Sequence, residues 1–243
     1  MKDYVFGIFI ILIIIYTLYL LSNPTEKFNY ININDAISFI KNDNDNFFKN
    51  MSIYDLRARK CSSIIEYINK IIPDFIIDSD TLEKCIEKIR VCIESSNIKL
   101  NKLSKTFKDI KWKIIFFKGE NYEDGMPHTR SDLIFIPVEH ILNSNNDKLI
   151  RTLVHEKIHL LQRFYPGDKL ITDFMSYYEL SDHKKNIKLA RSNPDLNDFI
   201  YNNKNNEKMY YEYSSEYPYS INDIINVNYH EHPYEEMAYY FSQ

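Results

Sequence analysis

The first pattern along the chain is a run without charge, YVFGIFIILIIIYTLYLLSNPT, from Tyr4 to Thr25. That is about the length a helix needs to cross the hydrocarbon core of a bilayer. The run predicts an uncleaved single-pass membrane anchor over residues 1–25, because its LYLLS end lacks the small-x-small pattern of a signal-peptide cleavage site. Lys2, Asp3, Glu26 and Lys27 nearly cancel, so charge assigns no orientation and no particular membrane. A polar break, KNDNDN (Lys41 to Asn46), follows a short predicted helix at Asp35 to Ile40. Cys61, Ile64, Ile65, Ile68, Ile71 and Ile72 then recur at spacings of three and four up to Pro73, the pattern of an amphipathic helix. A second helix places Leu82, Cys85, Ile86, Ile89, Cys92 and Ile93 on one face and Glu83, Lys84, Glu87 and Lys88 on the other.

At Lys111 the period changes. WKIIFFK and DLIFIPV are short aromatic and β-branched runs, separated by the turn-rich GENYEDGMPHTRS, and predict two strands. NSNND supplies helix-capping chemistry for a helix from about Lys148 to Phe164, closed by Pro166 and Gly167. Helical residues are expected to continue across Ile171 to Arg191. RSNPDLNDFIYNNKNN is expected to be loop, MYYEYSSEYPYS extended, and Pro233 to the C-terminus a short helix.

Composition narrows the function classes. The 30 basic and 34 acidic residues are mixed along the chain, for a formal charge of -4, so no basic stripe offers a nucleic-acid footprint. With four glycines and no G-x-x-x-x-G-K-[ST] string, phosphate-cradling loops have no support. Three cysteines without a C-x-x-C suit neither a disulfide framework nor a zinc ribbon; each falls on an apolar stripe, as small buried thiols do.

The chemistry concentrates in LIRTLVHEKIHLLQRF, Leu149 to Phe164. On a helix, residues four apart lie about 40° apart around the axis, so His155 and His159 present their rings to one point and can seat a zinc ion. Glu156 sits beside that face, where a general base can reach a water without ligating the metal. Lys157 stands where an uncharged residue is usual, but it projects about 180° from the two histidines. Such sites use three protein ligands, so the chain must supply another. The extended H-E-x-x-H-x-x-G-x-x-H pattern fails at Gln162 and Tyr165. Asp168 and Asp173 are near in sequence but belong to a helix break, and the C-terminal HEHPYEEMAYYFSQ is the better source.

H-E-x-x-H followed by a later helix bearing E-x-x-A resembles the zincin metallopeptidases of gluzincin type, whose third ligand is that glutamate. Here the second motif is Glu235-Glu236-Met237-Ala238. The set MPHTRSDLIFIP, LIRTLVHEKIHLLQR, NPDLNDF and YHEHPYEEMAYY is also similar to uncharacterised metallopeptidase-like chains of large DNA viruses of eukaryotes. The resemblance covers roughly Met51 to the C-terminus. It implies Zn2+ held by His155, His159 and Glu235, with Glu156 as catalytic base. Helix geometry favours Glu235 over Glu236, because Glu235 shares its face with Ala238, Tyr239 and Ser242, where a second helix could approach closely. The resemblance further implies that DLIFIPV is an edge strand receiving an extended polypeptide substrate. His128, Tyr229, His230 and His232 are candidate oxyanion donors by type.

The expected fold class is therefore α+β and zincin-like: mostly helical, with a small sheet next to the active-site helix, plus the N-terminal transmembrane helix. The expected organisation is an anchor over 1–25, a helical region over 26–110 and a catalytic region over 111–243. The expected function is a membrane-anchored zinc metalloendopeptidase that binds polypeptide and no nucleic acid. Its rival is a non-catalytic, membrane-tethered interaction module on the same scaffold.

Overall fold

The computed structural model describes residues 28–225 and 230–243. In chain order the elements are β1 (Asn29–Tyr30), α1 (Ile33–Asn42), α2 (Ile53–Ala58), α3 (Ile64–Ile71), α4 (Ser79–Leu103), β2 (Lys113–Phe117), β3 (His128–Arg130), β4 (Leu133–Pro137), α5 (Val138–Asn143), α6 (Asn146–Phe164), α7 (Lys169–Met175), β5 (Glu179–His183), β6 (Phe199–Asn202), β7 (Lys208–Met209), β8 (Glu212–Tyr213), β9 (Ile224–Ile225) and α8 (Pro233–Ser242). Helix starts follow side-chain chemistry. Asn32, Ser52, Ser63, Asp78, Asn145, Asp168 and His232 each accept a backbone N–H of the first turn, satisfying a donor the helix leaves orphaned.

The main sheet has the order β1-β2-β4-β3. β1, β2 and β4 are parallel, and β3 runs antiparallel to β4. Ile114, Phe116, Ile134 and Ile136 point to one face, where α4, α6 and α8 bring Cys85, Ile89, Leu153, Ile158, Leu161, Met237 and Ala238 into a shared core. Ile115, Phe117, Leu133 and Phe135 point to the other, against Ile40 and Phe48 and Tyr67 and Ile71 of the α1–α3 layer. Burial on both faces is why KIIFF and LIFIP are continuous apolar runs and not alternating ones. A three-stranded sheet (β5-β6-β7) and a two-stranded one (β8-β9) lie between α7 and α8 in sequence. Cys61, Cys85 and Cys92 are free and buried, and burial pushes the Cys85 thiol up to about 11.

Several expectations need correction. DLIFIPV is an inner strand: β4 has β2 on one side and β3 on the other, so the edge is β3, three residues inside the segment expected to be turn. β3 has too few residues to show a period, and it is fixed by tertiary contacts. Arg130 is fully buried, bonded to Asp43 (2.7 Å) and Asp45 (2.5 Å) and stacked over Phe39, Phe47 and Phe48. Helix does not continue from Ile171 to Arg191. α7 stops at Met175, and Glu179–His183 pairs instead with Phe199–Asn202, which had been expected to be loop. That pairing is a long-range contact overriding local propensity.

The expected membrane-spanning helix is also corrected. Among the described residues no helix is long and apolar enough to cross a membrane; the longest, α4, carries Glu83, Lys84, Glu87 and Lys88 along one face. The Tyr4 to Thr25 run itself lies outside the described residues. The fold class is α+β with small sheets, and neither the anchor nor a single-pass membrane location is retained.

Candidate metal centre

α6 carries HEKIH across the core. Lys157 is fully buried on the side away from the site: its ammonium donates to the Ile110 carbonyl and lies 4.1 Å from the centre of the Trp112 ring. A charged residue fits there because both a carbonyl and an aromatic face receive it. On the opposite side the His155 and His159 Nε2 atoms are 3.0 Å apart. α8 packs Met237 and Ala238, both fully buried, into the core shared with α6, which brings Glu235 over the two rings. Its oxygens are 3.4 Å from His155 Nε2 and 3.7 Å from His159 Nε2. Tetrahedral ligands about 2.0–2.1 Å from a zinc ion lie roughly 3.3 Å from one another. The 3.4 Å contact is made by Oε2 and the 3.7 Å contact by Oε1; two imidazole nitrogens and a carboxylate converging this closely are donors of the type zinc takes. Glu236 turns instead toward the Tyr178 hydroxyl.

The electrostatics follow from crowding two rings and three acids in a dry place. Burial disfavours a charged His155, but the hydrogen bond and charge of Glu235 outweigh it and raise the ring's pKa. Burial lowers His159. Glu235 is penalised by burial, yet the His159 and His155 rings hold its carboxyl well below the usual range. Glu156 goes the other way: burial, with Asp195 and Glu235 nearby, holds its carboxyl well above the usual range. Its Oε2 is buried without a hydrogen-bond partner. A buried, unpaired carboxylate oxygen is costly and calls for an explanation in function.

No family model, curated protein or solved structure matches the chain. The reading of the site therefore rests on its own geometry.

Beside the cluster lies a cavity of about 370 Å³ whose walls include His128, His155, Glu156, Asn193, Asp195 and Glu235. The buried pair Arg191–Glu231 (2.5 Å) also lines it. A strap, Ser192 to Asp195, crosses between this cavity and a second of about 250 Å³ on its other side. Asp195 Oδ1 accepts from the Thr129 N–H (2.5 Å) and hydroxyl (2.8 Å), so the strap occupies an outward-facing donor of the edge strand β3. Arg163, on α6, donates to the Pro194 carbonyl (2.9 Å) and the Ser131 carbonyl (2.7 Å), and Asn193 Nδ2 is 3.3 Å from Glu235 Oε1.

The remaining sequence candidates lie elsewhere or do other work. Asp168 caps α7 and accepts from Ser104 and Thr106, and Asp173 pairs with Lys169 at the surface. His232 is the N-cap of α8: its Nδ1 accepts from Tyr234 N (3.0 Å), Asn197 meets its Nε2, and burial pushes its pKa down to about 3. His230 lines the cavity and lies against Tyr239. His128 also lines it, stacked on Phe135 at 5.0 Å, with Nε2 buried and unpartnered. Tyr229 lies outside the described residues. Sequence reasoning quoted Asn193 and Asp195 only within the NPDLNDF stretch and gave them no role, passed over Arg191, and treated Gln162 only as a departure from a motif.

Proposed function

We propose that the chain is a zinc-dependent endopeptidase of gluzincin type, with His155, His159 and Glu235 as metal ligands and Glu156 as the base. One observation carries the reading: a buried carboxylate oxygen with no partner, Glu156 Oε2, in the wall of a cavity it shares with a three-donor cluster of the type zinc takes. A purely structural zinc site needs no such group. When bound, zinc supplies Lewis acidity toward a carbonyl and a water. Glu156 Oε2, buried in the cavity wall with no partner of its own, takes the proton of the attacking water and delivers it to the leaving amine nitrogen. The α6 backbone holds Glu156 one position from His155, so the base moves with the ligand frame. A polypeptide substrate is favoured because the edge strand β3 borders the cavity through His128; an extended chain pairing with it takes the place of Asp195 on the Thr129 N–H.

The test is metal content of the purified protein together with hydrolysis of a peptide library by wild type and Glu156→Gln. Zinc is expected in both, with kcat/KM in the variant lower by roughly 10²–10⁴-fold. Absence of zinc from wild type, or equal hydrolysis by the two proteins, defeats the proposal.

A further inference from the structure

Gln162 stands where the extended histidine pattern would place glycine, and its side chain is 2 % exposed with both polar ends engaged. Its Nε2 donates to the Tyr234 carbonyl at 3.0 Å. A carbonyl oxygen only accepts, so this bond fixes which way the carboxamide points and turns Oε1 toward His159. His159 Nδ1 lies 2.9 Å from that Oε1. Because Oε1 can only accept, Nδ1 carries the ring hydrogen of neutral His159, and Nε2 keeps its lone pair facing His155 and Glu235.

The other end of the amide matters equally. Tyr234 immediately precedes Glu235 in the first turn of α8, so one side chain grips the ring of one ligand and the backbone beside another. The two grips lie on helices far apart in sequence. We infer that Gln162 is a positioning residue of the metal centre, selecting the ligating tautomer of His159 and setting the distance of Glu235 from it. This rests on the metal site proposed above. Partners that orient a ligating histidine typically contribute 10–100-fold in metal affinity.

The experiment uses the full chain and two readouts. Nitrogen chemical shifts of His159 in zinc-free protein report its tautomer, and competition with a chromophoric chelator reports zinc affinity. In wild type the hydrogen is expected on Nδ1. Gln162→Leu, which removes both grips, is expected to mix the tautomers and weaken zinc binding by roughly 10–100-fold. Gln162→Glu keeps an acceptor for Nδ1–H and loses the donor to Tyr234, so it should retain the tautomer while still weakening zinc. A role in packing alone moves neither the tautomer nor the order of the two variants. Hydrogen on Nε2 in wild type, or zinc affinity of Gln162→Leu within threefold of wild type, overturns the inference. Wild-type protein that binds no zinc refutes the metal reading separately, and the tautomer then still decides the role of Gln162. If Gln162→Leu fails to fold, the wild-type tautomer and Gln162→Glu carry the test.

Discussion

Glu123 forms part of the cavity wall and is the counter-charge of Arg59, and replacing it by glutamine should cost more stability than its single position suggests. Arg59 is 4 % exposed and Glu123 3 %. The guanidinium bonds both carboxylate oxygens, one of them through Nε at 2.9 Å, and its third nitrogen reaches the Asp55 carbonyl at 3.0 Å. The Tyr67 hydroxyl donates to the same carboxylate at 2.8 Å and accepts from the Glu123 N–H at 3.2 Å. Burial opposes a charged Glu123, yet Arg59 outweighs it and lowers the carboxyl's pKa, so the pair is ionised in the fold. Removing Glu123 leaves the buried guanidinium only the more distant Asp55 carboxylate, with Oδ1 at 3.9 Å, and breaking a buried pair in this way costs about 3–5 kcal/mol. At about 2–4 °C per kcal/mol for a domain of this size, Tm should drop by roughly 6–20 °C. Urea unfolding followed through Trp112, the chain's one tryptophan and a buried one, measures the difference. The double variant Arg59→Met with Glu123→Gln should recover much of the loss, because a buried pair is nearly neutral against an apolar replacement. A Glu123→Gln cost below about 1 kcal/mol, or a double variant as unstable as the sum of the singles, would refute the argument.

Glu235→Gln should weaken zinc binding by more than the roughly 100-fold at the top of the range for outer partners, and Glu236→Gln only slightly, by the same chelator competition. The reverse order would move the third ligand to Glu236. Asp45 is penalised by burial but its hydrogen bond and charge interaction with Arg130 outweigh this, so its folded pKa lies below the unfolded one. Its contribution is therefore complete above about pH 4 and is lost as pH falls through the folded value; Asp45→Asn should flatten the acid limb of a stability–pH curve, and an unchanged limb would count against the pair.

What the sequence made legible is what local periodicity encodes. The α3, α4 and α6 stripes were readable because their apolar residues recur at three and four, α4 and α6 facing the core on one side of the sheet and α3 the core on the other. Pro233 and the acids after it marked α8 for similar reasons. β2 and β4 were readable as apolar runs, but their order was not, since a run buried on both faces looks the same at an edge or inside. β3 and β5 were hidden. His128–Arg130 is held by Asp43 and Asp45, more than eighty residues earlier, and Glu179–His183 is mostly exposed and owes its strand to β6. Neither dependence leaves a trace in the local pattern.

The site divides along the same line. His155, Glu156 and His159 share one helix, and the 3.6-residue period alone brings two donors and an acid to one place. Glu235 required a second helix to arrive at the right height, and only Ala238 hinted that it could. The departures from familiar patterns turn out to have a physical use here. Lys157 anchors the back of α6 to Ile110 and Trp112, and Gln162, read in sequence as the failure of a motif, joins the two helices that hold the donors. A glycine at position 162 would leave His159 Nδ1 and the Tyr234 carbonyl to find other partners in a dry interior. Glutamine is the residue that satisfies both at once, since it alone offers an acceptor and a donor at fixed separation on a chain long enough to span them. The local oddity and the long-range geometry are thus one constraint, seen first along the sequence and then across it.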